Sequence, residues 1–213
     1  MLFVDSLSVS LGGRRVLDEL SLEVTAGEVV AVFGPSGSGK STLLRAVAGL
    51  VDVDPGRVMV DGVDVTAVPT HRRSVGMVFQ DEQLFPHRDV AGNVAFGLEM
   101  AGVERGERDA RVAELLSAVG LRGFGDRDVS TLSGGEAKRV AVARSLAPRP
   151  TVLLADEPLT GLDAELHDRL AVEVRSVLRA SGTTTLWVTH DRAEAELVAD
   201  RSVSLGELMG SGR

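Results

Sequence analysis

Two hydrophobic periods divide the chain. Leu2 to Val9 alternates apolar and polar residues, Gly12-Gly13 makes a turn, and the alternation resumes at Val16, Leu17, Leu20, Leu22 and Val24; two antiparallel strands are predicted. After Ala26-Gly27-Glu28 comes Val29-Val30-Ala31-Val32-Phe33, apolar on both faces, as in a buried parallel strand. A glycine-rich loop, Gly34 to Gly39, leads into helical spacing at Leu43, Leu44, Val47 and Leu50. Further strands are predicted at Arg57 to Val60, closed by an Asp61-Gly62 turn, and at Val75 to Phe79. From about 86 to 150 helical patterns take over, at Val90 to Met100, Arg111 to Val119 and Glu136 to Ala147. Strands return at Val152 to Ala155, Thr184 to Thr189 and Arg201 to Leu205, separated by helices over Ala164 to Ala180 and Asp191 to Val198. Strands alternating with helices imply an α/β fold with a mostly parallel, covered sheet. The expected organisation is one domain over 1–213, with a core made of 1–85 and 151–213 and a helical subdomain, 86–150, inserted into it. The Gly-rich tail, Gly206 to Arg213, is expected to fray.

Composition narrows the function. Of 213 residues, 44% are hydrophobic and 25% charged, a globular balance that can bury a full core. Aromatic residues make up only 3% and Tyr is absent, so Val, Leu and Ala must carry that core. A formal net charge of −8 argues against DNA or RNA as the main partner. With no Cys, disulfides, Cys-ligated zinc and a thiol nucleophile are excluded, in keeping with a reducing cytoplasm. No apolar run reaches the roughly 18 residues that span a bilayer. Met1 to Ser10 lacks the charged start and apolar stretch of a signal peptide. Work at a membrane would need a separate membrane partner.

The candidate chemistry begins at Gly34-Pro35-Ser36-Gly37-Ser38-Gly39-Lys40-Ser41, a full match to the phosphate-loop pattern G-x-x-x-x-G-K-S/T. Glycines let the backbone curl until its N–H groups converge on phosphate oxygens, and the following helix adds its positive end. Lys40 supplies a point charge for the β- and γ-phosphates, Ser41 a hydroxyl for Mg²⁺, and Thr42 completes the run. An incidental lysine in a flexible Gly/Ser loop is the bland alternative. The setting between a buried strand and an amphipathic helix favours a nucleotide site. The second element is Val152-Leu153-Leu154-Ala155-Asp156-Glu157, an apolar strand ending in two acids. Beside a phosphate loop, Asp156 can hold Mg²⁺ directly or through water, and Glu157 is placed to polarise an attacking water. Alone, the pair would read equally well as a solvated turn.

Leu132-Ser133-Gly134-Gly135-Glu136 resembles the signature motif of ABC ATPases. Other landmarks of that family follow in order. Gln80, after Val78-Phe79, resembles the Q-loop glutamine, Leu162-Asp163 the D-loop, and His190, after Trp187-Val188-Thr189, the switch histidine. The resemblance spans nearly the whole chain. It implies a P-loop NTPase with a RecA-like, mostly parallel sheet, an antiparallel β subdomain and an inserted α-helical subdomain, which binds ATP and Mg²⁺ and hydrolyses ATP. It also implies that two subunits, here a homodimer, sandwich two ATP molecules head to tail. Ser133, Gly134 and Gly135 would then cap the partner's ATP, and small residues opening a helix suit that task. Gln80 would touch Mg²⁺ or the attacking water and report to a membrane permease. Asp163 would couple the two sites, and His190 would contact the γ-phosphate while holding Glu157 and the water.

Several positions depart from the family pattern. Glu136 stands where Gln is commoner among importers. It counts with the signature among the nucleotide-facing residues, yet Ser133-x-x-Glu136 also spells a capping box, a structural role. Leu11 takes the usual place of the adenine-stacking aromatic, so apolar contact alone would hold the base. Ala155 is smaller than the usual residue before the Asp. Singly, Gln80 and His190 would read as a strand-end polar residue and a helix start. His71, His87 and His167 show no ligand spacing, and Trp187 reads as core.

Arg72 to Gln80, followed by Leu84-Phe85-Pro86-His87, resembles bacterial importers of thiamine, iron(III), molybdate, sulfate or polyamines. No C-terminal regulatory domain is expected, and the compact thiamine-type subunit is the preferred comparison. That reading implies a peripheral position on the cytoplasmic face of the cell membrane, a separate permease and, for an importer, a solute-binding protein. Gln80 to Met100 would receive a coupling helix of the permease. Leu84, Phe85, Pro86, Val90 and Phe96 would either touch that helix or pack the helical subdomain. The rival is a soluble ABC ATPase acting on nucleic acid or ribosomes, for which the insert between Gln80 and Leu132 is short. A nucleotide sensor would need a defective catalytic set, and Lys40, Asp156, Glu157 and His190 are all present.

Overall fold

A computed structural model describes residues 1–210. In chain order they form β1 (Leu2–Leu11), β2 (Arg14–Val24), β3 (Val29–Phe33), α1 (Lys40–Ala48), β4 (Arg57–Val60), β5 (Val63–Asp64) and β6 (Val75–Val78). Three helices follow: α2 (Val90–Met100), α3 (Arg105–Ala118) and α4 (Gly134–Leu146). The chain then forms β7 (Val152–Asp156), α5 (Ala164–Ser181), β8 (Thr184–Thr189), α6 (Arg192–Val198), β9 (Arg201–Ser204) and α7 (Leu205–Gly210).

The two sequence periods become two sheets. The alternating strands form a four-stranded sheet in the order β2-β1-β4-β5, and each neighbouring pair is antiparallel. The continuous apolar strands form a five-stranded parallel sheet in the order β6-β7-β8-β3-β9. This second sheet is buried on both faces, and its period of two divides the residues between two cores. Val29 and Ala31 of β3, Leu153 and Ala155 of β7 and Trp187 of β8 face a core shared with α4, α5 and α6. Val30 and Val32, Val152 and Leu154, and Leu186 and Val188 face the other core, with α1 and the antiparallel sheet. The architecture is the expected α/β class.

Buried polar groups fix the joints. Arg73, 5% exposed, donates to the carbonyls of Val68 (2.7 Å), Thr66 (2.7 Å), Val47 (2.9 Å) and Ala46 (3.2 Å). It thus caps the C-terminal end of α1, which has carbonyls without helical partners. Asn93, fully buried on α2, accepts from Phe85 N at 2.8 Å and donates to the carbonyls of Phe85, Arg88 and Asp89. One amide therefore holds the approach to α2.

Two expectations change. α3 begins at Arg105, six residues before the predicted start at Arg111, because Glu104 caps it through Gly106 N at 3.1 Å. The tail does not fray through Gly210: α7 buries Leu205 and Leu208 in the core that α1 shares, and residues 211–213 lie outside the described part. Val90 is fully buried, Leu84 packs on the same core, and Phe96 stacks on Phe85 with ring centroids 4.6 Å apart. These side chains pack the helical region.

Candidate nucleotide site

The parallel order puts the C-terminal ends of β6, β7, β8 and β3 side by side, where α/β sheets open their ligand crevice. β3 feeds the glycine-rich loop and α1, β6 leads to Gln80, β7 ends at Asp156, and β8 is followed by His190. A cavity of about 400 Å³ lies there, lined by Leu11, Val16, Ser36, Gly37, the run from Gly39 to Thr42, Gln80 and Glu157. Leu11 and Val16 supply its apolar wall, with no aromatic ring.

The loop's conformation is one that only glycine holds without cost. Gly39, at the N-cap of α1, has φ 111°, and a Cβ there would sit 3.0 Å from Leu17 Cδ2 and 3.3 Å from Val16 O. No side chain caps α1 and no acid occupies its first turn, so its first N–H groups are left to an anion. Ser38 Oγ is buried with no hydrogen-bond partner among the described residues. A cradle of uncapped donors fits phosphate oxygens.

Charged groups converge on the loop. Lys40, 4% exposed, donates to Gly34 O at 2.9 Å and Pro35 O at 3.1 Å, and lies 3.3 Å from Glu157 Oε1. The other carboxylate oxygen of Glu157 is 2.8 Å from His190 Nδ1, and Thr160 Oγ1, which sequence reading missed, donates to it at 3.4 Å. Burial pushes Glu157 up, but His190 and Lys40 outweigh it and hold the carboxyl below its ordinary 4.5. Asp156 behaves oppositely. Burial raises it above 3.8, and the 2.8 Å hydrogen bond from Ser41 does not offset that.

Glu157 has a left-handed φ of 44°, held by Glu157 N on Val188 O and Thr160 N on Glu157 O. For a residue with a Cβ this costs about 1–2 kcal/mol, a strain that collects at functional sites. Ser41, Asp156 and Gln80 offer only oxygen ligands, the set a small hard cation takes. Among the described residues no cluster of three or more His, Cys, Asp or Glu could hold a metal alone. The donor set fits Mg²⁺ bound jointly with phosphates and water.

The signature residues stand apart: none of them lines the phosphate cavity. Ser133 caps α4, and the predicted capping box forms, with Glu136 Oε2 accepting Ser133 N at 2.8 Å and Ser133 Oγ accepting Glu136 N at 3.3 Å. These hydrogen bonds hold Glu136 below its ordinary value. Gly135 packs on Leu166 of α5, where a Cβ would lie 3.2 Å from Leu166 Cδ2. Asp163 caps α5 through Leu166 N at 3.0 Å. Two further residues escaped the sequence reading. Lys138 of α4 pairs with Glu82 at 3.1 Å, and Arg144 donates to the carbonyls of Gln83 and Glu82. They tether the loop after Gln80 to the signature helix.

The family model described as ABC transporter matches residues 17–160. The chain belongs to the ABC transporter family. It is 57% identical over its full length to a protein of Streptomyces coelicolor named "Fe(3+) ions import ATP-binding protein FbpC", of which it covers 62%. Over 96% of its length it is 46% identical to the "Sulfate/thiosulfate import ATP-binding protein CysA" of Thermosynechococcus vestitus, of which it covers 61%. The chain thus spans about three fifths of the relatives it matches. Among solved structures, the ATP-binding cassette MJ0796, described as dimeric in a post-hydrolysis state bound to ADP and Pi, superposes with a TM-score of 0.81 at 30% identity. That match covers 96% of this chain and 94% of the cassette, and it establishes the fold as that of an ABC ATPase.

Proposed function

We propose that this chain is the ATP-binding and hydrolysing subunit of a membrane importer. The observation that carries the reading is the convergence of Lys40, Ser41, Asp156, Glu157, His190 and Gln80 on one strand edge. The loop from Gly34 to Thr42 holds the phosphates of ATP, with Lys40 exchanging its carbonyl contacts for the β- and γ-phosphates. Ser41, Asp156 and Gln80 would hold Mg²⁺, which would supply charge neutralisation on those phosphates. Glu157 accepts the proton of the attacking water as its oxygen bonds to the γ-phosphorus. The bond to the β–γ bridging oxygen breaks, and ADP leaves with the electron pair. His190 holds Glu157 through Nδ1 and leaves its other nitrogen for the γ-phosphate.

The helix start at Ser133, Gly134 and Gly135, exposed at its first two residues and away from the chain's own phosphate loop, favours a second copy whose ATP it covers. Glu136 is engaged in the capping box and supports that start rather than touching nucleotide. Asp163 lies between the two sites of such a homodimer. ATP binding then favours the closed pair and hydrolysis reopens it, a population shift passed to a permease.

No helix of the described residues is long and apolar enough to cross a membrane, so a separate permease supplies the path, with a solute-binding protein on its far side. The groove of about 720 Å³ between α2 and α3, lined by Ala91, Ala95, Glu99, Val112 and Leu116, is the surface offered to the permease. The name of the relative at 57% identity favours iron(III) among the candidate cargoes. The test recovers a tagged Glu157→Gln chain from membranes of its own cell with ATP present. A co-recovered multi-span permease supports the importer. Recovery of ribosomes, DNA or soluble proteins alone overturns it, while phosphate release by the wild-type chain decides the ATPase reading separately.

A further inference from the structure

Behind His190 a carboxyl group is buried that the nucleotide chemistry does not use. Glu194, on α6, is 3% exposed. Three side chains converge on it: Trp187 Nε1 lies 2.7 Å from Oε1, while Thr189 Oγ1 at 2.9 Å and His167 Nε2 at 3.0 Å meet Oε2. Trp187 and Thr189 belong to β8 and His167 to α5, so one side chain of α6 gathers two other elements. A carboxyl at this depth is costly unless its hydrogen bonds are made, and these contacts make them.

The partners lead back to the site. Thr189 Oγ1 donates to Glu194 and accepts the backbone N–H of Asp191 at 3.0 Å. One hydroxyl therefore fixes both residues that flank His190, whose Nδ1 is 2.8 Å from Glu157 Oε2. His167 lies one turn after Asp163, and its backbone N–H donates to Asp163 O at 2.8 Å. We propose that Glu194 is a positioning residue for ATP hydrolysis, whose carboxyl ties the segment carrying His190 to the turn of α5 that begins at Asp163. The His190–Glu157 pair and Asp163 thereby keep one relative geometry. The inference rests on the ATPase reading above.

His167 makes this tie responsive to pH. The acidic groups that face it are Asp168 on its own helix, 3.1 Å from Nδ1, and Glu194 from α6. Burial works against the charged ring, but the hydrogen bonds to Asp168 and Glu194 outweigh it and raise His167 above its ordinary 6.5. A raised histidine contributes fully below 6.5 and its contribution is lost as pH rises through the higher folded value.

Trp187, the one tryptophan of the sequence, is a built-in reporter because its indole N–H bonds Glu194. The experiment follows steady-state phosphate release and Trp187 emission on the full chain, both from about pH 5.5 to 8.5. Wild-type emission is expected to shift with a midpoint above 6.5. In His167→Arg, which stays cationic throughout, the shift should vanish. Thr189→Val keeps the shape but removes both bonds of the hydroxyl. Its kcat should fall about tenfold or more with KM within about twofold, and Thr189→Ser should restore kcat to within about twofold. A flat wild-type emission, a shift that survives in His167→Arg, or unchanged kcat in Thr189→Val overturns the inference. Should Thr189→Val not fold, Glu194→Gln is read the same way, and a wild-type kcat and pH profile there overturn it equally. Absence of phosphate release from the wild-type chain marks a different failure, that of the ATPase reading, and takes the positioning role with it.

Discussion

Replacing Glu157 by Gln keeps the side chain's shape and removes its capacity to take a proton. A positioned general base contributes about 10²–10⁴ in rate, and at 1.4 kcal/mol per tenfold that is roughly 3–5.5 kcal/mol of barrier. Turnover should fall by that factor. Binding should move the other way. Lys40 Nζ loses a charged partner at 3.3 Å but keeps the carbonyls of Gly34 and Pro35. The bare Coulomb energy at that separation is about 5 kcal/mol at an effective dielectric of 20, and most of it is returned by solvent and by those carbonyls. A net change on the order of 1 kcal/mol frees Lys40 for phosphate, so the Kd for ATP should stay level or tighten by up to about fivefold. The assay is steady-state phosphate release at saturating ATP, beside a nucleotide titration and a sizing run with ATP to detect a trapped dimer. Protonation supplies an internal check. Because Glu157 is held below 4.5, its basic form persists as pH falls to that value. Any acid limb of kcat/KM near neutrality therefore has another source. Turnover of Glu157→Gln within fivefold of wild type would remove Glu157 from the base role.

Three other outcomes test separate parts of the site and fold. Lys40→Ala deletes the buried cation of the phosphate cradle, so the Kd for ATP should rise about 100-fold, some 3 kcal/mol, in a titration; equal affinity refutes the cradle. Ser133→Arg places a long cation at the exposed start of α4, so hydrolysis should stop while the monomer still binds ATP, and normal turnover counts against a site completed by a second copy. Arg73→Met removes the guanidinium from four backbone carbonyls, of which Ala46 O keeps the Gly49 N–H at 3.0 Å. The cost should be roughly 3 kcal/mol in urea unfolding with an unchanged slope, and a loss under 1 kcal/mol would show that water replaces the guanidinium.

What was legible in the sequence was local. The phosphate loop, the apolar strand ending in Asp156-Glu157 and the Ser133–Glu136 capping box each lie within eight residues, and spacing alone identifies them. The sheet order could not be read this way, because β3 pairs with β8 and β9 across more than 150 residues and a parallel pair leaves no turn signal. The first turns of α3 were missed because Arg105 to Asp109 carries no apolar spacing, only the cap at Glu104. α7 was hidden by its glycines, although Leu205 and Leu208 at helical spacing were a signal in plain view. His167 shows no ligand spacing along the chain. Its partner Glu194 lies 27 residues on, and only the packing of α5 against α6 unites them. Local motifs report chemistry that a single loop performs, whereas the groups that aim those motifs come from distant segments.

The adjacent acids show how far one torsion can divide a task. Neighbouring residues on a strand point to opposite faces, so an Asp-Glu pair should not serve one site. Here the chain leaves extended geometry between them: Asp156 closes β7, and Glu157 turns to φ 44°. Asp156 is thereby left against the neutral hydroxyl of Ser41, and burial pushes its carboxyl up. Glu157 is swung between Lys40 and His190, and although burial opposes it their hydrogen bonds pull its carboxyl down. A buried carboxyl facing a neutral hydroxyl is where the charge of a divalent ion is most effective. One held ionised by a lysine and hydrogen bonds is ready to receive a proton. The two roles follow from where the backbone sends each side chain, since the residues themselves are chemically near-equivalent. The strain of a left-handed glutamate, about 1–2 kcal/mol, is small beside the several kcal/mol of barrier that a placed base removes, and so the conformation is favoured in a site built for hydrolysis.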